Sequence, residues 1–190
     1  MRPILFILIL WRMPCISLAQ SASIDATIAF QSPSPSCSIS GADDLSFGTL
    51  EQPVTGSVSV TVNAESGAVT TTPTGYKVTG AAVGDFQLSG SHVSSYTIRM
   101  SAQGLPTALV SETETSNTIP YSAVTRRSDD GTTWSSTSAR GPGQFDSGTA
   151  SGHFSTFTRY FRIGGTISGI ALSTPHAKYS ATITLSLSCS

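Results

Sequence analysis

The amino-acid sequence predicts an all-β protein folded as an immunoglobulin-like β-sandwich. Short stretches with alternating apolar and polar residues recur along the chain, and Gly, Pro or Ser/Thr-rich turns separate them. Apolar residues at helical spacing are, by contrast, interrupted by Gly, Pro or Ser/Thr clusters in every window longer than about ten residues. Short strands divided by turns are typical of sandwiches and barrels.

Residues 1–19 are predicted to be a signal peptide that is removed on export. Arg2 precedes an apolar run from Ile4 to Trp11, and small residues stand at positions 17 and 19. The run is much shorter than the roughly 20 residues that span a bilayer, so a cleaved peptide is favoured over a membrane anchor. We expect cleavage after Ala19.

Residues 20–36 are predicted to be an N-terminal extension with two contrasting parts. Residues 23–30 alternate as a half-buried strand does, with Ile24, Ala26, Ile28 and Phe30 on the apolar face. Residues 31–36 include Pro33 and Pro35, which interrupt strand pairing and favour a stiff polyproline II spacer. Six residues at about 3.1 Å each would extend about 19 Å. The pattern therefore predicts a strand that is held away from the folded domain.

Residues 37–190 are predicted to form the sandwich. In 57–62, for example, three valines occupy one face of the strand. The pair Gly164-Gly165 indicates a bulge or a close strand crossing, with an anion-binding nest as the alternative. The predicted strands include 57–62, 76–78, 86–88, 96–100, 105–110, 154–163, 166–170 and 179–189.

The last predicted strand, residues 179–189, is the strongest alternating run in the chain. Because the sequence ends one residue later, we expect its outer edge to lack a following strand. An exposed edge of this kind invites the addition of a strand from elsewhere. The predicted acceptor edge carries Tyr179, Ala181, Ile183, Leu185 and Leu187 on one face, followed by Cys189.

Cys37 and Cys189 are the two cysteines that remain after the signal peptide is removed. An even pair in an exported chain predicts a disulfide, with two buried free thiols as the alternative. Closing so long a loop would stabilise the fold by up to about 5 kcal/mol in the chain-entropy model.

Composition and motifs argue against several functional classes. The net charge of −1 and the 11% of charged residues give no electrostatic case for binding nucleic acid or an anionic membrane. His92, His153 and His176 have no second ligand at metal-binding spacing, and no catalytic motif is present. We therefore expect neither an enzyme nor a metal or cofactor site. The sequence also lacks an N-x-[ST] glycosylation site, which fits a bacterial exported protein.

Residues 126–148 depart from the alternating rhythm and are predicted to form a long polar loop. Arg126, Arg127, Asp129 and Trp134 stand close together there, and such loops are often functional. The loop is a candidate ligand site for a sugar or a neighbouring subunit, with Trp134 and Phe145 as the candidate stacking rings. The alternative is a solvated loop whose Trp134 covers the sandwich edge.

Three stretches carry a resemblance to known families. The segment CSISGADDLSFGTL, residues 37–50, resembles the opening of the spore coat protein U family and of a related family of bacterial surface domains. Two motifs similar to those of the second family follow late in the chain, FRIGGTI at 161–167 and YSATIT at 179–184. The resemblance covers both ends of the domain and leaves roughly 80–152 unmatched.

These families resemble pilin subunits of the chaperone–usher type. The resemblance implies an incomplete immunoglobulin fold, whose missing last strand is donated by the N-terminal extension of a neighbouring subunit. It implies as partners other copies or related pilin subunits, a periplasmic chaperone and an outer-membrane usher. The implied location is the periplasm in transit and then the cell surface or a fimbrium. The chain departs from the spore coat U pattern in having two mature cysteines, one of them near its C-terminal end.

Three hypotheses follow for the function. In the first, residues 23–30 fill the groove beside residues 179–189 of another copy, which builds a fibre. In the second, the same strand fills its own groove and gives a monomeric surface or periplasmic domain. The stiff spacer favours the first, because it resists the tight reversal beside Cys37 that self-pairing needs. In the third, the protein is a tip adhesin that binds carbohydrate through residues 126–148.

Overall fold

The structure is a computed structural model, and it describes residues 34–100, 104–137, 144–149 and 156–190. These residues contain β-strands and no helix, which confirms the all-β prediction. The strands are β1 (Ser36–Asp43), β2 (Ser46–Leu50), β3 (Ser57–Val62), β4 (Val69–Thr72), β5 (Val78–Ala82), β6 (Gly84–Ser91), β7 (Ser95–Met100), β8 (Ala108–Ser111), β9 (Thr118–Ser128), β10 (Ser135–Ser136), β11 (Asp146–Thr149), β12 (Thr156–Ala171), β13 (Tyr179–Ser180) and β14 (Leu185–Cys189).

The strands form three antiparallel sheets. The largest has the order β1-β6-β12-β9-β8-β13, with β10 beside β9 and with β3 and β4 attached to β12. A second sheet has the order β11-β7-β14, and β2 pairs with β5 in a third. Strands that are distant in sequence therefore become neighbours, as β1 and β6 or β7 and β14 do.

Strand β12 organises the largest sheet. Its first half pairs with β6 through residues 156–163, and its second half pairs with β3 through residues 165–171. Strand β9 runs along the opposite edge, from Tyr160 to Ile167 of β12. The prediction of separate strands at 154–163 and 166–170 is wrong in this respect, because the backbone continues through the glycine pair between them as one strand.

Gly164 and Gly165 mark the place where β12 exchanges β6 for β3. A Cβ atom on Gly164 would collide with the carbonyl oxygen of Val62, and one on Gly165 with the carbonyl oxygen of Ser122. Gly165 also has φ of +141°, which side-chain-bearing residues rarely adopt. The predicted close strand approach at this pair is confirmed.

The apolar faces of the strands form two core clusters. The first includes Phe86, whose ring stacks on Phe161 with centroids 4.9 Å apart. The second contains Val60, Ile119, Tyr121 and Ile167. The three valines of β3 are at most 1% exposed, so the alternation in residues 57–62 identified an inward face correctly. The first cluster consists of Phe86, Leu88, Tyr96, Ile98, Met100, Phe145, Phe161 and Ile163.

Candidate functional site

The last predicted strand, residues 179–189, is two strands in the structure. Strand β13 pairs with β8 in the largest sheet, whereas β14 pairs with β7 in the second sheet. Residues 181–184 between them have no strand pairing. The prediction of one continuous strand is therefore corrected, because the chain crosses from one sheet to another while its side chains keep alternating.

Several strands have an unused pairing edge within the described ranges, and four of them contribute residues to one cleft. Strands β1 and β13 are the two ends of the largest sheet, β14 is an end of the second sheet, and β2 pairs with β5 alone. Each of them therefore retains a row of backbone N–H and C=O groups that another strand could pair with.

A long cleft of about 1310 Å³ lies between these edges. Two stretches of the chain line it, residues 43–50 and residues 174–183 with Leu185. Its apolar lining includes Leu45, Phe47 and Leu50 from the first stretch and Tyr179, Ile183 and Leu185 from the second. Ile119, Tyr121, Ile163 and Ile167 of the core clusters also line it. The cleft therefore opens onto both core clusters.

The disulfide joins two of the free edges near one end of the cleft. Cys37 in β1 and Cys189 in β14 are bonded, with their Cα atoms 6.5 Å apart, so the predicted pairing is confirmed. Both half-buried cysteines pack against the first core cluster. The bond thereby holds an edge of the largest sheet against an edge of the second sheet.

Side-chain hydrogen bonds also join two segments beside the cleft. The Gln52 Nε2 amide donates to the carbonyl oxygens of Leu172, at 2.8 Å, and Thr174, at 3.3 Å. Gln52 and Thr174 both line the cleft. These hydrogen bonds hold the segment after β2 against the segment after β12.

Acidic groups lie along the same side of the cleft as β1. Asp43 is paired across the sheet with Asp85, and both line the cleft together with Asp44. Burial and the neighbouring Asp43 raise the pKa of Asp85, and the Arg162 guanidinium opposes this effect. This rim would repel an acidic side chain that lay beside it.

The predicted acceptor-edge residues separate into two groups. Tyr179, Ala181, Ile183 and Leu185 all line the cleft. Leu187 packs instead against the first core cluster. The predicted donor residues, Ile24, Ala26, Ile28 and Phe30, lie outside the described residues, so their role stays a prediction.

The predicted polar loop at 126–148 is wrong at both ends. Arg126 and Arg127 belong to β9, because this strand continues along β12 and is also paired with β10. Phe145 is completely buried in the first core cluster, and Asp146 begins β11. Phe145 is therefore no exposed ring for stacking on a sugar.

The side chains of the predicted ligand loop have partners within the protein. An Arg127 Nη atom lies 3.4 Å from Oδ2 of the fully buried Asp146, and Tyr96 donates its hydroxyl to the same oxygen at 3.1 Å. Burial and the neighbouring Asp146 raise the pKa of Tyr96. Arg126 lies 3.8 Å from a Glu65 carboxylate oxygen.

Trp134 lies against the sheet. The Arg162 guanidinium of β12 stacks over its ring at 4.2 Å from the centroid. No pattern in the sequence identifies Asp146 as the partner of Arg127 or Arg162 as the partner of Trp134, because strand pairing and not a short motif brings each pair together.

The described ranges contain neither a metal-binding group nor a membrane-spanning helix. No group of His, Cys, Asp and Glu side chains there is arranged to hold a metal ion. Within the same residues, no helix has the length and apolar character needed to cross a membrane.

Comparisons of the chain with protein-family models, curated proteins and solved structures found no match.

Proposed function

We propose that the protein is a structural subunit of a bacterial surface fibre, in which the N-terminal strand of one copy fills the long cleft of the next. One observation carries the proposal: an apolar cleft lies between strand edges that have unused backbone groups. A cleft with these two properties suits an extended segment, because β-strand addition needs both free main-chain groups and pockets for alternate side chains.

The predicted donor is an extended apolar-faced segment. Residues 23–30 would span about 26 Å as a strand, at about 3.3 Å per residue. Ile24, Ala26, Ile28 and Phe30 would all face inward, since a strand directs alternate side chains to one face.

Apolar burial supplies most of the expected binding free energy. Burying Ile24, Ile28 and Phe30 at about 1.5–3 kcal/mol each gives about 5–9 kcal/mol before ordering costs. Main-chain hydrogen bonds to the free edges would add to it. In this proposal the fold is an immunoglobulin-like sandwich that lacks one strand until the donor completes it.

The proposal favours donation between copies over self-donation. The Ser/Pro spacer predicted at residues 31–36 would be stiff, and β1 begins at Ser36. Because donor and acceptor are different surfaces, the contact is head-to-tail and propagates into a fibre.

Assembly of this kind requires export and protection of the open cleft. The Cys37–Cys189 disulfide is compatible with an oxidising compartment outside the cytoplasm. An apolar cleft of this size invites aggregation before a donor arrives. We therefore include a periplasmic chaperone and an outer-membrane usher in the proposal, with the cell surface or a fimbrium as the final location.

The test compares the assembly states of residues 20–190 and residues 34–190 by sedimentation. The longer chain should form head-to-tail polymers, because it carries both donor and acceptor. The shorter chain should be monomeric and less stable, and a synthetic peptide of residues 23–30 should raise its unfolding temperature. A peptide with Ile28→Asp is the matched control and should have little effect, because it places a charge in the apolar cleft.

Two outcomes would contradict the proposal. A longer chain that is monomeric, and a shorter chain of equal stability, would mean that no donor strand is needed. A monomeric longer chain that loses stability when residues 20–33 are removed would instead establish self-donation.

A further inference from the structure

A second, smaller pocket lies on the outer face of the largest sheet. We call it the outer pocket, and its volume is about 330 Å³. It forms where the turn between β9 and β10 folds over β6 and β12. Besides Phe86, Gly131 and Phe161, its lining consists of polar and aromatic residues of these elements: Asp85, Gln87, Asp130, Trp134, Tyr160 and Arg162.

Strand alternation separates the outer pocket from the core. Phe86 belongs to the first core cluster, whereas its neighbours Asp85 and Gln87 are half-buried on the opposite face of β6. In β12, Phe161 belongs to the same cluster and its neighbours Tyr160 and Arg162 face outward. The adjacent strands β6 and β12 therefore contribute four polar or aromatic residues to the outer pocket.

The turn that forms the wall is held in shape by Asp130. Its carboxylate accepts hydrogen bonds from the backbone N–H groups of Thr132 and Thr133, at 2.8 and 2.7 Å, and from the Ser128 hydroxyl at 2.8 Å. These donors, with Thr133 first, lower the pKa of Asp130. The wall is therefore preorganised, which reduces the entropy lost on binding a ligand.

Two aromatic rings are also held in position. The Arg162 guanidinium stacks over Trp134 at 4.2 Å, an arrangement that fixes the indole through a cation–π contact. Tyr160 lies beneath Gly131, whose φ of +76° brings the backbone close to the phenol ring. Both rings are half-buried, so each retains an exposed part.

The polar groups around these rings are suited to form hydrogen bonds with the hydroxyl groups of a ligand. The Asp85 carboxylate offers two acceptor oxygens, and the Gln87 amide offers both a donor and an acceptor. The Gln87 amide is oriented by a hydrogen bond to the Ser89 hydroxyl at 3.2 Å. Planar groups of this type can pair with two adjacent hydroxyls of one ring, while an aromatic side chain packs against its C–H face.

We propose that the outer pocket binds a neutral saccharide, through Asp85 and Gln87 on one side and Trp134 and Tyr160 on the other. Asp85 and Asp130 disfavour an anionic ligand, and Arg162 disfavours a cationic one. The volume lies at the lower end of the range for small-ligand sites, which suits one sugar ring or the end of a chain.

This site replaces the sugar site predicted from residues 126–148. Trp134 is retained, but its partners come from β6 and β12 rather than from Arg126 and Arg127, whose side chains lie near Glu65 and Asp146. The inference is separate from fibre assembly, since donor strands are proposed to occupy the long cleft. Asp85 lines both places, whereas Gln87, Trp134 and Tyr160 line the outer pocket and not the long cleft.

The test is a fluorescence titration of the full chain with glucose, galactose and mannose. Trp134 reports directly on the pocket, and Trp134→Phe identifies the background from the other tryptophan, Trp11. At least one sugar should change the emission saturably. Asp85→Asn and Gln87→Ala should each weaken binding at least ~10-fold, because the first replaces an acceptor oxygen of the carboxylate with an NH2 donor and the second removes the amide.

Charge specificity is tested with two relatives of glucose. Glucuronate and glucosamine keep the ring but carry opposite charges, and both should bind more weakly than the best neutral sugar. Ser38→Ala is the control variant, since Ser38 is exposed in β1 and outside the pocket. It should leave the affinity unchanged.

Three results would overturn the inference. They are the absence of a saturable signal with every neutral sugar, a signal that persists in Trp134→Phe, and tighter binding of glucuronate. Thermal unfolding of each variant shows whether a lost signal reflects loss of the fold. Should Asp85→Asn unfold, Gln87→Ala carries the same test, because the Gln87 amide bonds only to Ser89 among the described side chains.

Discussion

At the residue scale, the molecule depends on a few polar groups buried at strand crossings. The fully buried Asp146 accepts a hydrogen bond from Tyr96 and lies beside Arg127, so one carboxylate links β7, β9 and β11. Tyr121 donates its hydroxyl to the carbonyl oxygen of Gly164 at 2.9 Å. A buried polar group that loses such a partner costs about 1–3 kcal/mol.

Tyr121 gives a prediction about alkaline stability. Burial raises its pKa to about 12, whereas the phenol in an unfolded chain titrates near 10. The unfolded state therefore loses its proton first, so the contribution of Tyr121 is complete below about pH 10 and is lost as the pH rises through about 12. Urea unfolding at a series of pH values should show stability falling across this window.

Tyr121→Phe tests the origin of that decline. The variant should be about 1–3 kcal/mol less stable at neutral pH, because the Gly164 carbonyl loses its partner. Its stability should then fall less steeply above about pH 10. A decline remains in the variant, since burial also raises the pKa of Tyr96. Equal slopes in the two proteins would show that Tyr121 does not titrate as proposed.

At the element scale, the way in which strand edges are paired matters more for the long cleft than the residues of any single strand. Strand β12 is long enough to pair with β6, β9 and β3, and its glycine pair permits the exchange of neighbours. The short strands β1, β2, β13 and β14 surround the long cleft. Only the disulfide connects edges of different sheets covalently, and it does so with a sequence separation of 152 residues.

We predict that the disulfide contributes strongly to stability. The variant with both Cys37→Ser and Cys189→Ser should lose up to about 5 kcal/mol of unfolding free energy, because the unfolded chain is no longer constrained by the long loop. Urea unfolding of the oxidised protein, the reduced protein and the variant measures the loss. The reduced protein and the variant should agree with each other, and a variant as stable as the oxidised protein would contradict the prediction.

At the scale of the whole molecule, the described residues leave part of the apolar core open at the long cleft. Both core clusters reach the long cleft, and the strands beside it have unpaired edges. In the proposed assembly, a donor strand from another copy would cover this apolar surface.

Ile183 provides a test of the cleft at this scale. It lines the cleft, packs half-buried against the first core cluster and lies in residues 181–184, which have no strand pairing, so Ile183→Asp removes no strand–strand hydrogen bond. Thermal unfolding of the variant shows whether the fold tolerates the charge. A charge at this apolar site should weaken binding of the 23–30 peptide about 100-fold, equivalent to about 2.7 kcal/mol. Fluorescence anisotropy of a labelled peptide with residues 34–190 measures the change.

The matched control is the adjacent Thr184→Asp. Thr184 is exposed, so the same charge there should change peptide affinity by less than about threefold. Equal effects of the two substitutions, or no effect of Ile183→Asp, would argue against the cleft as the acceptor.

The sequence alone determined the class of structure and several of its local features. Alternation in residues 57–62 identified a buried strand face, since a two-residue period directs the same residues inward whatever the partner strand is. The cysteine count predicted the disulfide, and Gly164-Gly165 predicted a close strand approach. Each of these signals resides in a residue type or in a short pattern.

Only the tertiary structure decided which edges meet and what lies between them. Alternation cannot show that residues 179–189 divide between two sheets, because the side-chain pattern continues unchanged across residues 181–184. It also cannot show that Arg162 stacks on Trp134, since strand pairing joins residues that are far apart in sequence. The long cleft and the outer pocket both arise from such pairings, and for that physical reason neither was visible in the sequence.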